Sequence, residues 1–417
     1  MSKLWIRGGN RLEGEITVQG AKNSVLPLLA ASILAQGEVV LENCPDLADV
    51  DSAIDILRHL GAQVRREKDT VHIDPRGICR SEVPPLYMRK MRSSVIFLGA
   101  VLARTGSACM SFPGGCELGP RPIDMHLEAL RTLGATITEQ DDNVIAAAGK
   151  LHGARVRLRF PSVGATENVM LASCVSRGET IIENAAREPE IEDLAGFLNA
   201  IGCRVRGAGS PVIIVEGVVQ THGTVYRVIA DRIVAGTYCC AAAVTNGCVT
   251  LKGVDPAHMM LLSDILRTAG CTIRTGSDRL HIAAPDRLIG VPPVVTAPYP
   301  GFATDLQAPL MAAMTTARGQ TRFVETIFEN RFQHAAGLIA MGADIIVEGR
   351  TARVSGVDDL HGAHVAATDL RGGAALVVAA LAASGETSIC ALEHLDRGYA
   401  HLEEQLRALG ADVERKN

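Results

Sequence analysis

Leu57-Arg58-His59-Leu60-Gly61-Ala62 reads as the last turn of a helix, stopped by a glycine and followed at once by a strand. This short stretch decides the fold because the chain writes it six times. Its glycine recurs at Gly61, Gly134, Gly202, Gly270, Gly342 and Gly410, at separations of 73, 68, 68, 72 and 68 residues. A repeated structural unit produces such spacing; chance does not. A second glycine precedes each of these at Gly37, Gly106, Gly178, Gly247, Gly319 and Gly385, by 24, 28, 24, 23, 23 and 25 residues. The second unit therefore carries about four extra residues.

Around each Leu-Gly element the apolar residues fall at i, i+3 and i+4, as in Ile54, Leu57 and Leu60 or Leu127, Leu130 and Leu133, which predicts an amphipathic helix. Two short strands joined by a polar turn follow, as in Val64, Glu67-Lys68-Asp69 and Val71-His72-Ile73. Before the first glycine lies a helix that is apolar nearly all round, such as Leu26 to Ala35, Val95 to Ala103 and Ala374 to Ala383. A unit of strand, buried helix, strand, amphipathic helix and two strands cannot cover that helix alone, so neighbouring units must. Solenoid stacking is one solution. Closed groups with the apolar helices at the centre are the other, and six units of roughly 70 residues suit two groups of three. The boundary is expected near Tyr226 to Asp231. It divides the chain into a first three-unit domain over 22–229 and a second made of 1–21 plus 230–417.

Composition narrows the functional classes. Forty-one Lys and Arg against 46 Asp and Glu give a net charge of -5, so no global basic field holds nucleic acid or an anionic membrane. The longest apolar run, Ala374 to Ala383, is ten residues, against the roughly 20 of a bilayer-spanning helix. The opening residues show no apolar leader, so a cytoplasmic location is expected. Of the eleven cysteines, which form no Cys-x-x-Cys pair and several of which sit inside apolar runs, most are expected to be reduced core thiols.

Burial explains the repeat, so the residues it leaves unexplained are the informative ones. They fall at two equivalent places. At the starts of the buried helices stand Lys22-Asn23, Arg92-Ser93, Ser162-Val163-Gly164, Asp231-Arg232, Thr304-Asp305 and Asp369-Leu370-Arg371. Ser93 and Thr304 are expected to be plain N-caps. Lys22, Arg92, Arg232 and Arg371 oppose the helix dipole there, which points to an anion between them. The loops before the amphipathic helices hold Cys116 and Arg121, Arg187-Glu188-Pro189-Glu190, Arg331 and Asp396-Arg397. If the units are equivalent, Lys22, Arg92, Arg121, Arg232, Arg331, Arg371 and Arg397 converge on a pocket for phosphate and carboxylate groups.

The extra residues of the second unit lie in Phe112-Pro113-Gly114-Gly115-Cys116-Glu117-Leu118-Gly119-Pro120-Arg121-Pro122, the composition of an active-site lid. Cys116, outside any apolar run and near arginine, is suited to proton transfer or nucleophilic attack. His361 and His364 have no partners at metal-ligand spacing, and no metal site is read. Neither a phosphate loop nor a dinucleotide fingerprint is present, and no cofactor is expected.

Over essentially its whole length the chain resembles the UDP-N-acetylglucosamine 1-carboxyvinyltransferase family of enolpyruvyl transferases. The likeness is carried by Gly20-Ala21-Lys22-Asn23, Met91-Arg92-Ser93, Pro113-Gly114-Gly115-Cys116, Arg121-Pro122-Ile123-Asp124, Ser162-Val163-Gly164-Ala165-Thr166, Glu183 to Glu190, Thr304-Asp305, Phe328-Glu329-Asn330-Arg331-Phe332, Thr368-Asp369-Leu370-Arg371 and Asp396-Arg397-Gly398-Tyr399. The resemblance implies an inside-out α/β barrel of six units in two domains, with the active site in the cleft between them. It implies transfer of the enolpyruvyl group of phosphoenolpyruvate to the 3-hydroxyl of UDP-N-acetylglucosamine, with release of phosphate, as the first committed step of peptidoglycan precursor synthesis.

By that likeness Cys116 donates a proton to the methylene carbon and is the target of the epoxide fosfomycin, while Asp305 is the base for the sugar hydroxyl. Lys22, Asn23, Arg92, Arg121, Arg331, Arg371 and Arg397 would surround phosphoenolpyruvate, with Lys22 and Arg397 also catalytic. Asn23, Arg92, Arg121, Pro122, Asp124, His126, Ser162, Val163, Gly164, Asp305 and Ile327 would hold the nucleotide sugar. One departure is Phe160, lysine in some members, with Arg159 beside it. The competing readings are transfer to shikimate 3-phosphate or a nucleoside, a non-catalytic UDP-N-acetylglucosamine sensor, and nucleic-acid processing, which the acidic balance and few aromatics weaken.

Overall fold

The six Leu-Gly helices end as the repeat predicts, each on a glycine with the positive φ that L side chains resist, from 94° at Gly410 to 114° at Gly61. The computed structural model describes residues 2–112 and 123–416, apart from the side chains of Arg89, Lys90 and Arg92. The chain folds into two compact units, residues 2–19 with 230–416 and residues 20–112 with 123–229.

The strands form six four-stranded sheets of one topology. In the third repeat Arg155–Arg157 runs parallel to Glu179–Glu183, which pairs antiparallel with Val212–Glu216, which pairs with Arg204–Arg206 at the far edge. The parallel pair brackets the buried helix and the hairpin follows the amphipathic one. Burial alternates along the inner strands, so one face lies on helices and the other is polar.

Two details differ from a plain sixfold reading. The strand before each buried helix joins the sheet of its own repeat except in the first and fourth repeats, which exchange theirs. Glu13–Thr17 pairs with Cys248–Lys252, and Thr224–Arg227 pairs with Val39–Glu42. These are the segments that precede the helices Lys22–Ala31 and Arg232–Val244. The sixth hairpin is completed by Lys3–Arg7, inserted between Glu386–Cys390 and Asp412–Lys416.

In the unit built from 2–19 and 230–416, the helices Arg232–Val244, Thr304–Met314 and Leu370–Ala382 pack on one another at the centre. Every residue from Ile233 to Val244 is buried, as is every residue from Arg371 to Leu381. In the other unit Lys22–Ala31, Phe97–Thr105 and Val163–Ser173 occupy the same position in the repeat. Helices inside and sheets outside make this an inside-out α/β fold. Full burial of one leucine contributes roughly 1.5–3 kcal/mol, which is why these helices can start on charged residues that would otherwise weaken them.

Among the described residues no helix is long and apolar enough to cross a membrane. The ten described cysteines are all free. Burial pushes Cys44, Cys239 and Cys271 up to about 12, as expected of inert core thiols.

Candidate active site

Two helix starts and the loop that bears Arg331 build a charge network in the unit that holds Asp305. Arg331 Nη2 lies 2.9 Å from Asp305 Oδ1, and Arg371 Nη2 lies 3.2 Å from Asp305 Oδ2. Both arginines are almost wholly buried, at 3% and 4% exposure. Arg331 also donates to the carbonyl of Thr304 at 3.3 Å and approaches Asp369 at 3.5 Å. Asp369 caps the helix Leu370–Ala382 by accepting from the amides of Arg371 and Gly372. The Arg371 guanidinium reaches the Tyr399 hydroxyl at 3.4 Å, and that hydroxyl bonds Thr237 at 2.9 Å. The anions at these helix starts are thus carboxylates of the chain itself. Burial works against the charge on Arg371, and Asp305 and Tyr399 more than restore it, so it stays cationic.

The neighbouring loop is organised by Glu325, 1% exposed. Its Oε1 accepts from the amides of Ile327 and Phe328 at 2.7 and 3.1 Å and from the Thr296 hydroxyl at 3.0 Å. Its Oε2 accepts from the Thr304 hydroxyl at 2.9 Å. Thr304 is therefore committed to Glu325, and the helix Thr304–Met314 follows Ala303 with no side-chain cap. The expectation that Thr304 is a plain cap fails because a buried carboxylate outcompetes the helix amides for its hydroxyl. Arg232 stands over the Tyr299 ring, 5.4 Å from its centroid. Arg397 is half-buried in the single turn Leu395–Arg397.

The unit of 20–112 and 123–229 carries the other described candidates. Lys22 opens the helix Lys22–Ala31 and pairs with Asp49 at 2.6 Å, both nearly buried. Asn23 beside it is exposed. Ser24 in the same turn donates to Asp193, which also accepts from Tyr226 at 2.9 Å. Ser93 lies inside the 3-10 turn Arg92–Ile96, whose N-cap is Met91, so it is not the expected cap either. Ser162 is a true cap: its Oγ accepts from the Ala165 amide, and Val163 and Gly164 form the first turn behind it.

Asp124 opens the helix Asp124–Thr132 and is ion-paired with Arg159, which holds its carboxyl below the usual range. Arg159 also approaches Glu128 at 3.5 Å, while Phe160 turns outward, 42% exposed. His126 is buried and held down to about 4 by desolvation, so its imidazole is neutral at pH 7. Cys116, Arg121, Pro122 and the side chain of Arg92 lie outside the described residues.

Sequence reasoning passed over Asp49, Glu325 and Asn168, which hold Lys22, Thr304 with Ile327, and His126 in turn. The only sequence signal was an acid or amide inside an otherwise apolar segment, as at Asn168 within Ala165 to Ala172. His361 and His364 have structural work: His361 covers Gly342, and His364 bonds the Ser388 hydroxyl at 2.5 Å. Among the described residues no cluster of three metal-ligating side chains occurs.

A family model described as EPSP synthase (3-phosphoshikimate 1-carboxyvinyltransferase) matches residues 6–406. The chain is 49% identical over 415 residues to UDP-N-acetylglucosamine 1-carboxyvinyltransferase 2 of Caldanaerobacter subterraneus subsp. tengcongensis, with the whole of both chains covered. The crystal structure of the enolpyruvyl transferase NikO from Streptomyces tendae superposes with a TM-score of 0.89 at 27% identity, covering 100% of this chain and 99% of that one. EPSP synthase from Acinetobacter baumannii shares the fold, with a TM-score of 0.78 at 22% identity over 100% of both chains.

Proposed function

The chain belongs to the EPSP synthase family and is an enolpyruvyl transferase, and on that footing we propose that its acceptor is the 3-hydroxyl of UDP-N-acetylglucosamine. Full-length identity of 49% to a relative named for that acceptor supports the choice. The same reading makes the product a peptidoglycan precursor and sets the site in the cleft between a domain over 22–229 and one of 1–21 plus 230–417.

In the reaction the sugar oxygen bonds to C2 of phosphoenolpyruvate while a proton adds to C3. The tetrahedral adduct then loses a proton from C3 and expels phosphate, restoring the double bond. Asp305 takes the hydroxyl proton and Cys116 supplies the proton to C3. Lys22, Arg92, Arg121, Arg331, Arg371 and Arg397 stabilise the charge that moves between carboxylate and phosphate as the adduct forms and collapses.

The observation that carries this reading is the double pairing of Asp305 with Arg331 and Arg371. Before substrate arrives, both carboxylate oxygens are occupied by cations. A phosphoenolpyruvate anion competing for the same guanidiniums releases one oxygen toward the acceptor hydroxyl, so the base becomes available only when the electrophile is present.

The test is phosphate release from phosphoenolpyruvate with UDP-N-acetylglucosamine, shikimate 3-phosphate and a nucleoside supplied separately, repeated with Cys116→Ala. Turnover with the amino-sugar nucleotide alone, lost in the variant, is the expected result. Turnover only with another acceptor sinks the substrate assignment, and none with any of them returns the chain to a sensor. Fosfomycin is expected to add its mass to the peptide containing Cys116, and UDP-N-acetylglucosamine to slow proteolysis of that loop.

A further inference from the structure

Asn168 is fully buried in the middle of the helix Val163–Ser173, where an amide side chain is costly unless every polar atom is used. It is used three ways. Its Oδ1 accepts from the Gly99 amide at 2.6 Å, and its Nδ2 donates to the Val95 carbonyl at 3.1 Å. Gly99 N and Val95 O are the pair that an uninterrupted α-helix would bond to each other, i to i−4. The Asn168 amide is thus spliced into the backbone ladder at the junction between the 3-10 turn Arg92–Ile96 and the helix Phe97–Thr105. The third contact is Nδ2 to His126 Nδ1 at 2.8 Å, with a longer approach to the Gly164 carbonyl at 3.4 Å.

These contacts fix an orientation that hydrogen positions alone leave open. Gly99 N–H demands an oxygen and Val95 C=O demands a nitrogen, so the amide can face only one way. Its NH2 group then meets His126 Nδ1, which must accept. The proton of the neutral imidazole therefore sits on Nε2. That edge of the ring lies against Gly164, where a Cβ would come within 2.9 Å of Cε1 and 3.3 Å of Nε2. His126 thus carries its N–H on the edge nearest the start of the helix capped by Ser162.

We propose that Asn168 is a positioning residue, which sets the His126 tautomer so that Nε2–H serves as a donor to the bound nucleotide sugar and which locks the Arg92–Ile96 turn to the same helix. One amide then ties a nucleotide-side donor to the turn that bears a phosphoenolpyruvate cation. The role of the donor rests on the proposed function above; the tautomer does not.

The experiment has two arms. Ring 15N shifts of His126 in histidine-labelled protein, assigned with His126→Gln, are expected to show Nδ1 unprotonated and Nε2 protonated at pH 7. A proton on Nδ1 overturns the inference whatever the enzyme turns over, and needs no variant at position 168. In Asn168→Asp, near-isosteric, a carboxylate faces Nδ1 and draws the proton to it. The expected result is the reversed ring signature and a rise of about tenfold or more in KM for UDP-N-acetylglucosamine, the loss of a hydrogen bond to a charged ligand. A variant that unfolds more easily but keeps the wild-type KM makes Asn168 merely structural and also overturns it. If the tautomer is as expected and no nucleotide sugar is turned over, the proposed function alone has failed.

Discussion

Arg331 Nη2 stands 2.9 Å from Asp305 Oδ1, and the guanidinium behind it is 3% exposed while the carboxylate keeps 30% of its side-chain surface. The cation is fixed and the anion faces outward. That asymmetry makes Asp305 the partner able to leave when another anion arrives.

Replacing Asp305 with Asn separates its two roles. In its proposed role as base it contributes about 10²–10⁴ in rate, so kcat for phosphate release is expected to fall by that order. As a counter-ion it pairs with Arg331 and Arg371, so its loss leaves Arg331 with Asp369 alone and takes from Arg371 the carboxylate it bonds. Inorganic phosphate measured by calorimetry is expected to bind Asp305→Asn at least as tightly as wild type. Weaker phosphate binding together with weaker catalysis would instead assign Asp305 to holding the loop.

Lys22 and Asp49 form the corresponding pair in the other unit, 2.6 Å apart with side chains 10% and 3% exposed. Removing one member of a buried pair costs about 3–5 kcal/mol. Asp49→Ala is expected to lower the thermal midpoint and to raise KM for phosphoenolpyruvate, because Lys22 loses the carboxylate that holds it at the helix start. An unchanged midpoint in differential scanning calorimetry would count against the pair as the anchor of Lys22.

The repeat was legible because its signals are local: a glycine ends each amphipathic helix and the apolar periodicity belongs to one segment at a time. The expected bounds 22–229 and 1–21 plus 230–417 already put Glu13–Thr17 and Thr224–Arg227 each beside the other's repeat, but strands of equivalent position carry no mark of the register in which each pairs. Members of the charge network were legible where a charge sat against its own helix dipole, as Arg371 does. They were hidden where the reason lay far along the chain. Nothing near Asp193 announces Ser24, 169 positions away, and nothing near Asn168 announces Gly99, 69 positions away. Thr304 was misread because capping preference is a local rule and the buried Glu325 overrode it, and Ser93 because the turn already begins behind Met91.

Gly164 tests the nucleotide side directly. A methyl group there would press on His126 at 2.9 Å from Cε1, and the ring cannot yield without disturbing the 2.8 Å bond that Asn168 makes to the adjacent Nδ1. Gly164→Ala is expected to raise KM for UDP-N-acetylglucosamine about tenfold while leaving KM for phosphoenolpyruvate close to wild type. Equal effects on both would mean that the strain spreads through the helix instead of staying at the ring.

Glu167, one residue before Asn168, supplies a pH dependence with a definite sign. Burial, reinforced by Glu190 and Glu188, raises its carboxyl from 4.5 to about 8, so at pH 7 the folded protein keeps it protonated. The unfolded chain releases that proton above about 4.5. Between those limits the native state binds more protons, so stability falls as pH rises. The contribution is complete below 4.5 and is lost as pH climbs through 8. At about 1.4 kcal/mol per pKa unit, the window is worth on the order of a few kcal/mol. Glu167→Gln keeps the shape and removes the titration. Its thermal midpoint is expected to change less than that of wild type between pH 5 and pH 8, so that the variant gains on the parent toward alkaline pH. Parallel curves for the two proteins would show that Glu167 is ionised in the native state and that a buried cation, rather than a proton, balances it.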